Sequence, residues 1–320
     1  MPVISVPQDF NEDELYVDLL SIVGHSLFLK CEGFNFAGSI KLKAASEMVE
    51  AAERDGFLRP GSILVESSSG NLGVALSMIA ASKGYGFLCV TDSRCNMATR
   101  RLTEALGARV HTIMEPHPVD GFLGARIDFV RALCASDDRY VWLNQYSNPS
   151  NWKAHYRRTG PAIARQFPEL DVLFVGAGTT GTLMGCARFF REWHRPVRIV
   201  AVDTVDTVDT VDTADTVGSV SFGGPAGRRM IPGLGMGVRP HLLAESYVDD
   251  VVLVEEADTV RTCHRLARRG FLFGGLHGHR RQRRDDVAGA APRARPDRGG
   301  HRPRPRRALP RHRLPDHLAA

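Results

Sequence analysis

The chain contains no apolar run long enough to cross a bilayer, although 43% of its 320 residues are hydrophobic. A membrane-spanning helix needs about 20 consecutive apolar residues. The start of the chain also lacks the basic and apolar regions of a secretory leader. We therefore expect a cytoplasmic protein with no membrane partner.

Cysteine is scarce, and no two cysteines have C-x-x-C spacing. Zinc sites and disulfide frameworks need recurring short spacings between cysteines. We therefore predict no metal site and six reduced thiols, which are Cys31, Cys89, Cys95, Cys134, Cys186 and Cys263.

Lysine is absent from Leu276 to the end of the chain, where 13 arginines and four acidic residues leave a net charge of +9. The remaining residues hold 28 basic and 32 acidic side chains, a net charge of −4. A basic tail can bind nucleic acid or an anionic membrane surface. We expect neither partner, because a frameshift in the gene, argued from the codons below, explains the basic composition of this tail better. As written, its Arg, Pro and His bias predicts disorder.

Short apolar runs alternate with segments of helical periodicity. Strands are predicted at 62–65, 86–90, 109–113, 140–143, 172–175 and 197–202, and helices at 73–83, 97–106, 122–135 and 184–193. This alternation is typical of an α/β fold with mostly parallel sheets and flanking helices. We predict an N-terminal lobe over 1–150, a C-terminal lobe over 151–275 and the basic tail over 276–320.

Lys41 stands at the start of a predicted helix. Ser39 is a favourable N-cap, and apolar residues recur at helical spacing from Ile40 to Ala52. Lys41 then lies in the first turn, where the helix dipole disfavours a cation. A neutral lysine amine can form a Schiff base. A solvated surface lysine is the alternative interpretation.

Two polar loops follow predicted strands and lead into predicted helices. The first is Glu66-Ser-Ser-Ser-Gly-Asn-Leu-Gly73, whose hydroxyls and amide suit a carboxylate or a polar ring substituent. The second is Gly176-Ala-Gly-Thr-Thr-Gly-Thr182, whose glycines and hydroxyls can cradle a phosphate. Ligands in parallel sheets bind at the carboxyl ends of strands. Both loops are therefore candidate sites, and a tight connection is the alternative for each.

Lys41, these two loops and Asn144-Gln-Tyr-Ser-Asn-Pro149 occur in an order that resembles the cysteine-synthase-like branch of the pyridoxal-phosphate enzymes. This is the fold group of tryptophan synthase β, known as fold type II, and the resemblance spans residues 21–275. It implies pyridoxal 5'-phosphate as cofactor, small amino-acid substrates and a homodimer.

The same resemblance implies the roles of individual residues. Lys41 would form the Schiff base, and Asn71 would hydrogen-bond the phenolic oxygen of the cofactor. The substrate carboxylate would be held by Ser68, Ser69 and Gln145. The cofactor phosphate would be bound by Gly178, Thr179, Thr180, Gly181 and Thr182.

Within that branch, Leu72 and the Asn151-Trp152 pair resemble the enzymes of 2,3-diaminopropionate biosynthesis, which serve siderophore and peptide-antibiotic pathways. The resemblance implies β-replacement on O-phospho-L-serine with L-glutamate as the nucleophile. Arg228 and Arg229 could bind the acidic groups, because arginine matches phosphate and carboxylate; two surface arginines are the alternative. Cysteine synthesis, serine or threonine dehydration, and a non-catalytic or damaged protein with a binding tail remain alternative functions.

Two segments depart from the family pattern. Residues 205–216 repeat a Val-Asp-Thr triplet, and their removal leaves a sensible strand and loop, so they indicate an in-frame repeat expansion.

Gly274-Gly-Leu-His-Gly278 stands where relatives have Gly-Gly-Ser-Thr-Gly, whose serine meets the pyridine nitrogen of the cofactor. Suitable codons for the tail, read one nucleotide later, give STGTVVSGAMTWLA and IAPDLGERYLDTVYP. We therefore predict a frameshift between Gly275 and Leu276.

Overall fold

The described residues form two β-sheets, one of four strands and one of seven, with helices packed against them. The computed structural model describes residues 3–205, 219–224, 233–272, 288–291 and 311–313. Arg228, Arg229, Leu276, His277 and residues 206–216 of the repeat lie outside this description.

The four-stranded sheet is entirely parallel, with strand order β5-β4-β3-β6. Its strands are β3 (Ile63–Ser67), β4 (Gly86–Asp92), β5 (Arg109–Ile113) and β6 (Tyr140–Trp142). The helices along this part of the chain are α2 (Lys41–Arg54), α3 (Asn71–Lys83), α4 (Met97–Ala105) and α5 (Gly121–Ser136). Helices α2 and α3 pack their apolar residues into one core with Leu64 and Phe87 of the sheet.

The seven-stranded sheet mixes parallel and antiparallel pairs, in the order β1-β2-β10-β7-β8-β9-β11. Its strands are β1 (Tyr16–Asp18), β2 (Phe28–Lys30), β7 (Val172–Gly176), β8 (Arg198–Val205), β9 (Asp250–Glu255), β10 (Ala288–Ala291) and β11 (Arg311–Arg313). The remaining α-helices are α1 (Leu20–Val23), α6 (Pro149–Ala154), α7 (Gly160–Gln166), α8 (Gly181–Arg191) and α9 (Glu256–Ala267). A π-helical turn (His155–Thr159) joins α6 to α7, and 3-10 turns occupy Pro7–Asp9 and Glu245–Tyr247.

The predicted α/β architecture is confirmed. Strands β3 to β8 and helices α3, α4, α5 and α8 fall within a few residues of their predicted bounds. Strands β1 and β2, within the range predicted for the first lobe, pair instead in the seven-stranded sheet. Within the basic tail, residues 288–291 pair with β2 and β7, and residues 311–313 pair with β9.

The N-terminal segment contacts the second half of the chain. The rings of Tyr16 and Phe28 both pack against Phe167, at centroid distances of 5.0 and 4.7 Å. Leu29 shares a small core with Leu266 of α9. These contacts tie the first strands of the chain to its last described helix.

Helix α2 begins one residue later than it would with Ser39 as the N-cap. The capping position is Ile40, which makes no side-chain cap hydrogen bond, and the buried Ser39 hydroxyl has no partner among the described residues. The Asn35 side chain shapes this turn instead, because its amide donates to Ser39 O at 2.9 Å and its oxygen accepts from Ala37 N at 3.0 Å. The predicted place of Lys41 in the first turn is confirmed.

Among the described residues, no helix is both long and apolar enough to traverse a lipid bilayer.

Candidate active site

A cleft lies between the start of α2 and the loop after β7. Ile40 and Lys41 form one wall, and the rest is lined by Val175, Gly176, Gly178, Thr179, Thr180, Gly181, Thr182 and Gly233. The structure therefore brings Lys41 together with the five loop residues predicted to bind phosphate.

The loop after β7 has the geometry of an anion site. Thr180 is the N-cap of α8 and adopts a left-handed conformation, with φ of 64°. This conformation is unusual for a residue with a side chain and directs successive backbone N–H groups into one concave surface. The buried Thr180 hydroxyl has no partner among the described residues. The α8 N-terminus adds further unpaired N–H groups and a favourable dipole.

Two glycines of this loop leave no room for a side chain. A Cβ on Gly178 would lie 2.8 Å from Gly233 O, and a Cβ on Gly181 would lie 2.0 Å from Asn151 Oδ1. Glycine at both positions is therefore needed for the loop to pack against its neighbours.

Lys43, two residues after Lys41, is buried in a cluster of charges. Its Nζ lies 2.5 Å from Asp13 Oδ1 and 2.8 Å from Glu32 Oε2. Burial opposes the charge of Lys43, but the two carboxylates outweigh burial and raise its pKa. Lys30 adds a second cation, 3.3 Å from Glu32 Oε1. Lys43 is thus committed to an ion cluster, whereas Lys41 lines the cleft.

The predicted carboxylate site is built on the loop after β3. The Ser68 hydroxyl accepts from Gly73 N at 3.0 Å, which fixes the loop to the start of α3. Gln145 is buried beside this loop and donates from Nε2 to Ser67 O at 2.9 Å. Ser69 is exposed, and Asn71 is the first residue of α3. The structure therefore joins Ser68 and Gln145 through the Ser67 backbone.

Glu66 is a fully buried carboxyl behind this loop. It accepts hydrogen bonds from Ser67 N, Trp142 Nε1 and Gln145 N at 2.9, 3.0 and 3.1 Å. Burial raises the pKa of Glu66 to about 7, although these three donors and Arg126 act in the opposite direction. The carboxyl thus connects the end of β3 to Trp142 and Gln145.

Asn144 and Thr180 are the two non-glycine residues with positive φ in the described part of the chain, at 53° and 64°. One precedes Gln145 and the other lies in the loop after β7. Backbone strain of this kind costs about 1 to 3 kcal/mol and concentrates at functional sites. The segment after β6 and the loop after β7 therefore each contain one strained residue.

Glu66, Asn151 and His155 contact the candidate loops but were not predicted from the sequence as site residues. His155 Nε2 lies 3.2 Å from the Thr182 hydroxyl, and Asn151 Nδ2 lies 3.3 Å from the Thr179 hydroxyl. The sequence could have indicated Asn151 and His155 as a pair, because residues four apart share a helix face.

Comparison with known proteins identifies the family. A profile described as pyridoxal-phosphate dependent enzyme matches residues 15–280. The chain belongs to this family. It therefore depends on pyridoxal phosphate, and the predicted cofactor is confirmed.

Two curated relatives carry the name N-(2-amino-2-carboxyethyl)-L-glutamate synthase. The one from Ralstonia nicotianae is 37% identical over 250 residues, which cover 78% of this chain and 70% of the relative. The one from Cupriavidus metallidurans is 35% identical over 254 residues, which cover 79% and 71%. The chain is accordingly an enzyme of the synthase and lyase type, similar to these proteins.

A solved structure of similar fold is a mutant of O-ureido-L-serine synthase with O-ureido-L-serine bound. It has a TM-score of 0.73 and 28% sequence identity, and the match covers 85% of this chain and 82% of that one. The predicted type II arrangement of mostly parallel sheets and flanking helices agrees with this structure.

The residues of the cleft fit the cofactor. The phosphate would require several donors, which the loop after β7 offers as backbone N–H groups, the unpartnered Thr180 hydroxyl and the hydroxyls of Thr179 and Thr182. The aldehyde would require an amine, which Lys41 offers from the opposite wall.

Proposed function

We propose that the protein catalyses β-replacement on O-phospho-L-serine with L-glutamate, giving N-(2-amino-2-carboxyethyl)-L-glutamate and phosphate. The observation that carries this proposal is the single cleft shared by Lys41 and the loop Gly178 to Thr182, in a chain similar to two synthases of that name. The product would be an intermediate of 2,3-diaminopropionate biosynthesis for a siderophore or a peptide antibiotic. O-ureido-L-serine, the ligand of the structural relative, is likewise an O-substituted serine.

Lys41 would hold the cofactor through its amine and would also serve as the base of the reaction. The cofactor, when bound, supplies the ring that accepts the electrons of the α-carbon. The free Lys41 amine would take the α-proton of the substrate. Asn71, at the N-terminus of α3, would donate to the phenolic oxygen of the cofactor.

The substrate carboxylate is held by Ser68, Ser69 and Gln145. Gln145 is pre-oriented by Glu66, which accepts from its backbone N–H at 3.1 Å. Arg228 and Arg229, outside the described residues, bind the phosphate of the substrate or the carboxylates of glutamate.

The proposed reaction exchanges one bond at the β-carbon of the substrate. The Cβ–O bond of phosphoserine breaks and the oxygen leaves with phosphate, while a Cβ–N bond forms to the glutamate amine. The α-proton that Lys41 takes returns to the α-carbon, and the proton lost by the amine leaves with phosphate or solvent. No oxidant or reductant is needed.

Product analysis tests the proposal. Purified full-length protein loaded with cofactor is given O-phospho-L-serine or O-acetyl-L-serine, each with glutamate or sulfide, and the products are separated by mass spectrometry. We expect the phosphoserine and glutamate pair to react fastest. Faster formation of cysteine from O-acetyl-L-serine and sulfide would favour cysteine synthesis, and pyruvate without either product would favour dehydration.

We further propose that two copies associate, as the family resemblance implies. Phe34 and Phe36 are 49% and 55% exposed, and aromatic residues are enriched in protein interfaces. Light scattering combined with size-exclusion chromatography would measure the mass directly. A mass equal to one chain of 35.2 kDa would contradict a dimer.

A further inference from the structure

One helix face contacts the loop after β7 (Gly178 to Thr182), which is the proposed phosphate loop. Asn151 of α6 and His155 of the following π-helical turn lie four residues apart, and both are almost fully buried, at 3% and 1% exposure. Each contacts a different threonine of the loop after β7. The two threonines, Thr179 and Thr182, also line the cleft.

The contact of Asn151 has a defined direction. Its Nδ2 donates to Gln145 O at 2.8 Å and to Thr179 Oγ1 at 3.3 Å. Since an amide nitrogen only donates, the threonine oxygen must accept. The hydroxyl hydrogen of Thr179 therefore remains available to a ligand in the cleft.

The contact of His155 depends on the position of its ring proton. Burial and the nearby charges of Lys43, Lys41 and Arg158 hold the pKa of His155 well below its usual value, so the ring is neutral. One ring nitrogen then donates and the other accepts. Nδ1 lies 3.0 Å from the Thr159 hydroxyl, and Nε2 lies 3.2 Å from the Thr182 hydroxyl.

An anion in the cleft selects one of the two tautomers. If Thr159 donates to Nδ1, Nε2 carries the proton and donates to Thr182 Oγ1, which leaves the Thr182 hydrogen free to bind the anion. In the other tautomer, Thr182 donates to Nε2 and presents only lone pairs toward the cleft. A phosphate dianion is stabilised by donors and repelled by lone pairs, so it favours the first arrangement.

We propose that Asn151 and His155 are positioning residues that hold the hydroxyls of Thr179 and Thr182 as hydrogen-bond donors for the cofactor phosphate. This inference rests on the proposed placement of that phosphate at the loop after β7. The close approach of the helix to the loop supports it, because Asn151 Oδ1 occupies the space in which Gly181 would carry a side chain. Asn151 also links Thr179 to Gln145, so the same helix connects the loop after β7 to the segment after β6.

Two substitutions of His155 separate a donor role from a packing role. Glutamine places its amide nitrogen near the position of Nε2, whereas asparagine places its amide nitrogen near Nδ1. His155→Gln therefore keeps the donor to Thr182, and His155→Asn removes it. Thr159→Val interrupts the same chain of hydrogen bonds with little change in volume, and Asn151→Leu removes the donor to Thr179.

The measured quantity is the dissociation constant of pyridoxal divided by that of pyridoxal phosphate, which reports how much the phosphate contributes to binding. Both constants are measured on full-length protein freed of cofactor. We expect this ratio to fall roughly tenfold in His155→Asn, Thr159→Val and Asn151→Leu, the effect of about one charge-assisted hydrogen bond. The ratio should stay within about twofold of wild type in His155→Gln. Tyr156→Phe is the matched control, because its hydroxyl contacts Glu192 on the outer side of the same helix.

Two outcomes would overturn the inference. If His155→Gln and His155→Asn lowered the ratio equally, or if all variants weakened both ligands by the same factor, the residues would have a packing role only. If wild-type protein bound pyridoxal as tightly as pyridoxal phosphate, the placement of the phosphate itself would be wrong. The two failures are thus distinguishable.

Discussion

Two lysines near the start of α2 meet opposite surroundings. Lys41 lines the cleft, and Lys43 is 3% exposed and paired with Asp13 and Glu32. A lysine whose charge is stabilised by two buried carboxylates is a poor nucleophile, because only the neutral amine attacks an aldehyde. The surroundings of the two side chains therefore distinguish Lys41 from Lys43 as the nucleophile, although the two lysines lie only two residues apart in the sequence.

Paired substitutions test this difference. Borohydride reduction of the cofactor-loaded protein, followed by peptide mapping, should place the label on Lys41, and Lys41→Met should abolish the label. Lys43→Met should lower the free energy of unfolding by about 3 to 5 kcal/mol, because it leaves buried carboxylates without a partner. Denaturant titration measures the free energy of unfolding of Lys41→Met and Lys43→Met. A label on Lys43, or equal stability of the two variants, would contradict the assignment.

Glu66 makes stability depend on pH. Its pKa rises from an ordinary value of 4.5 to about 7 on folding, so the folded state binds the proton more tightly. The free energy of unfolding should therefore fall as pH rises from about 4.5 to 7, by about 3 kcal/mol from this group.

Glu66→Gln should flatten that slope, although the variant loses stability because its amide faces three N–H donors. Urea titrations at several pH values measure the slope, with Glu115→Gln on an exposed loop as control. An unchanged slope in Glu66→Gln would show that other groups cause the pH dependence.

At the scale of elements, α6 packs so closely against the loop after β7 that no space remains for a side chain at Gly181. Gly181→Ala should cost about 1 to 3 kcal/mol and weaken binding of pyridoxal phosphate, because the new Cβ would overlap Asn151. Gly86→Ala in β4 is the control, since its Cβ would meet Ile63 at ordinary distances of 3.4 Å and more. Thermal unfolding and cofactor titration compare them, and equal behaviour of the two variants would contradict this account.

The triplet repeat after β8 should be dispensable. Deletion of residues 205–216 places Val217 after Thr204, so the valine that pairs with Glu255 at the end of β8 is restored. Shortening a surface loop changes its closure free energy by about 0.6 kcal/mol per halving. The melting temperature of the deletion variant should therefore stay within a few degrees of wild type. A loss of cooperative unfolding would show that the repeat is part of the fold.

Regular periodicity explains which elements could be predicted. Strands β3, β4 and β5 are compact apolar runs separated by helices, and their bounds were nearly correct. Strands β1 and β2 have three residues each, too few for a period-2 pattern to mark them. Helix α6 has six residues, too few for periodicity, although Pro149 after the N-cap Asn148 was a usable start signal. The burial of Glu66 depends on tertiary contacts and has no local signature.

At the scale of the whole molecule, the basic tail remains the main departure from the family. The family match ends at residue 280, close to the predicted frameshift between Gly275 and Leu276. A shifted frame would restore the Gly-Gly-Ser-Thr-Gly turn and an apolar helix, which would bury several large side chains at roughly 2 to 5 kcal/mol each. Against a total stability of about 5 to 15 kcal/mol, the chain as written should be unstable or nearly inactive.

Resequencing the gene tests the frameshift. We expect codons that yield the family-like segments when they are read one nucleotide later. Expression of the corrected frame should raise the melting temperature and the rate of product formation. Codons that do not give these segments when shifted, or full activity of the chain as written, would refute the frameshift.

The contact between the two ends of the described chain has a consequence for biosynthesis. Leu29 leaves the ribosome more than two hundred residues before Leu266, with which it shares a core. At translation rates of about 5 to 20 residues per second, this interval lasts roughly 10 to 50 seconds. The nascent β1–β2 pair thus waits with its apolar face and strand edge uncovered, and chaperones that bind such surfaces should control the yield of folded enzyme.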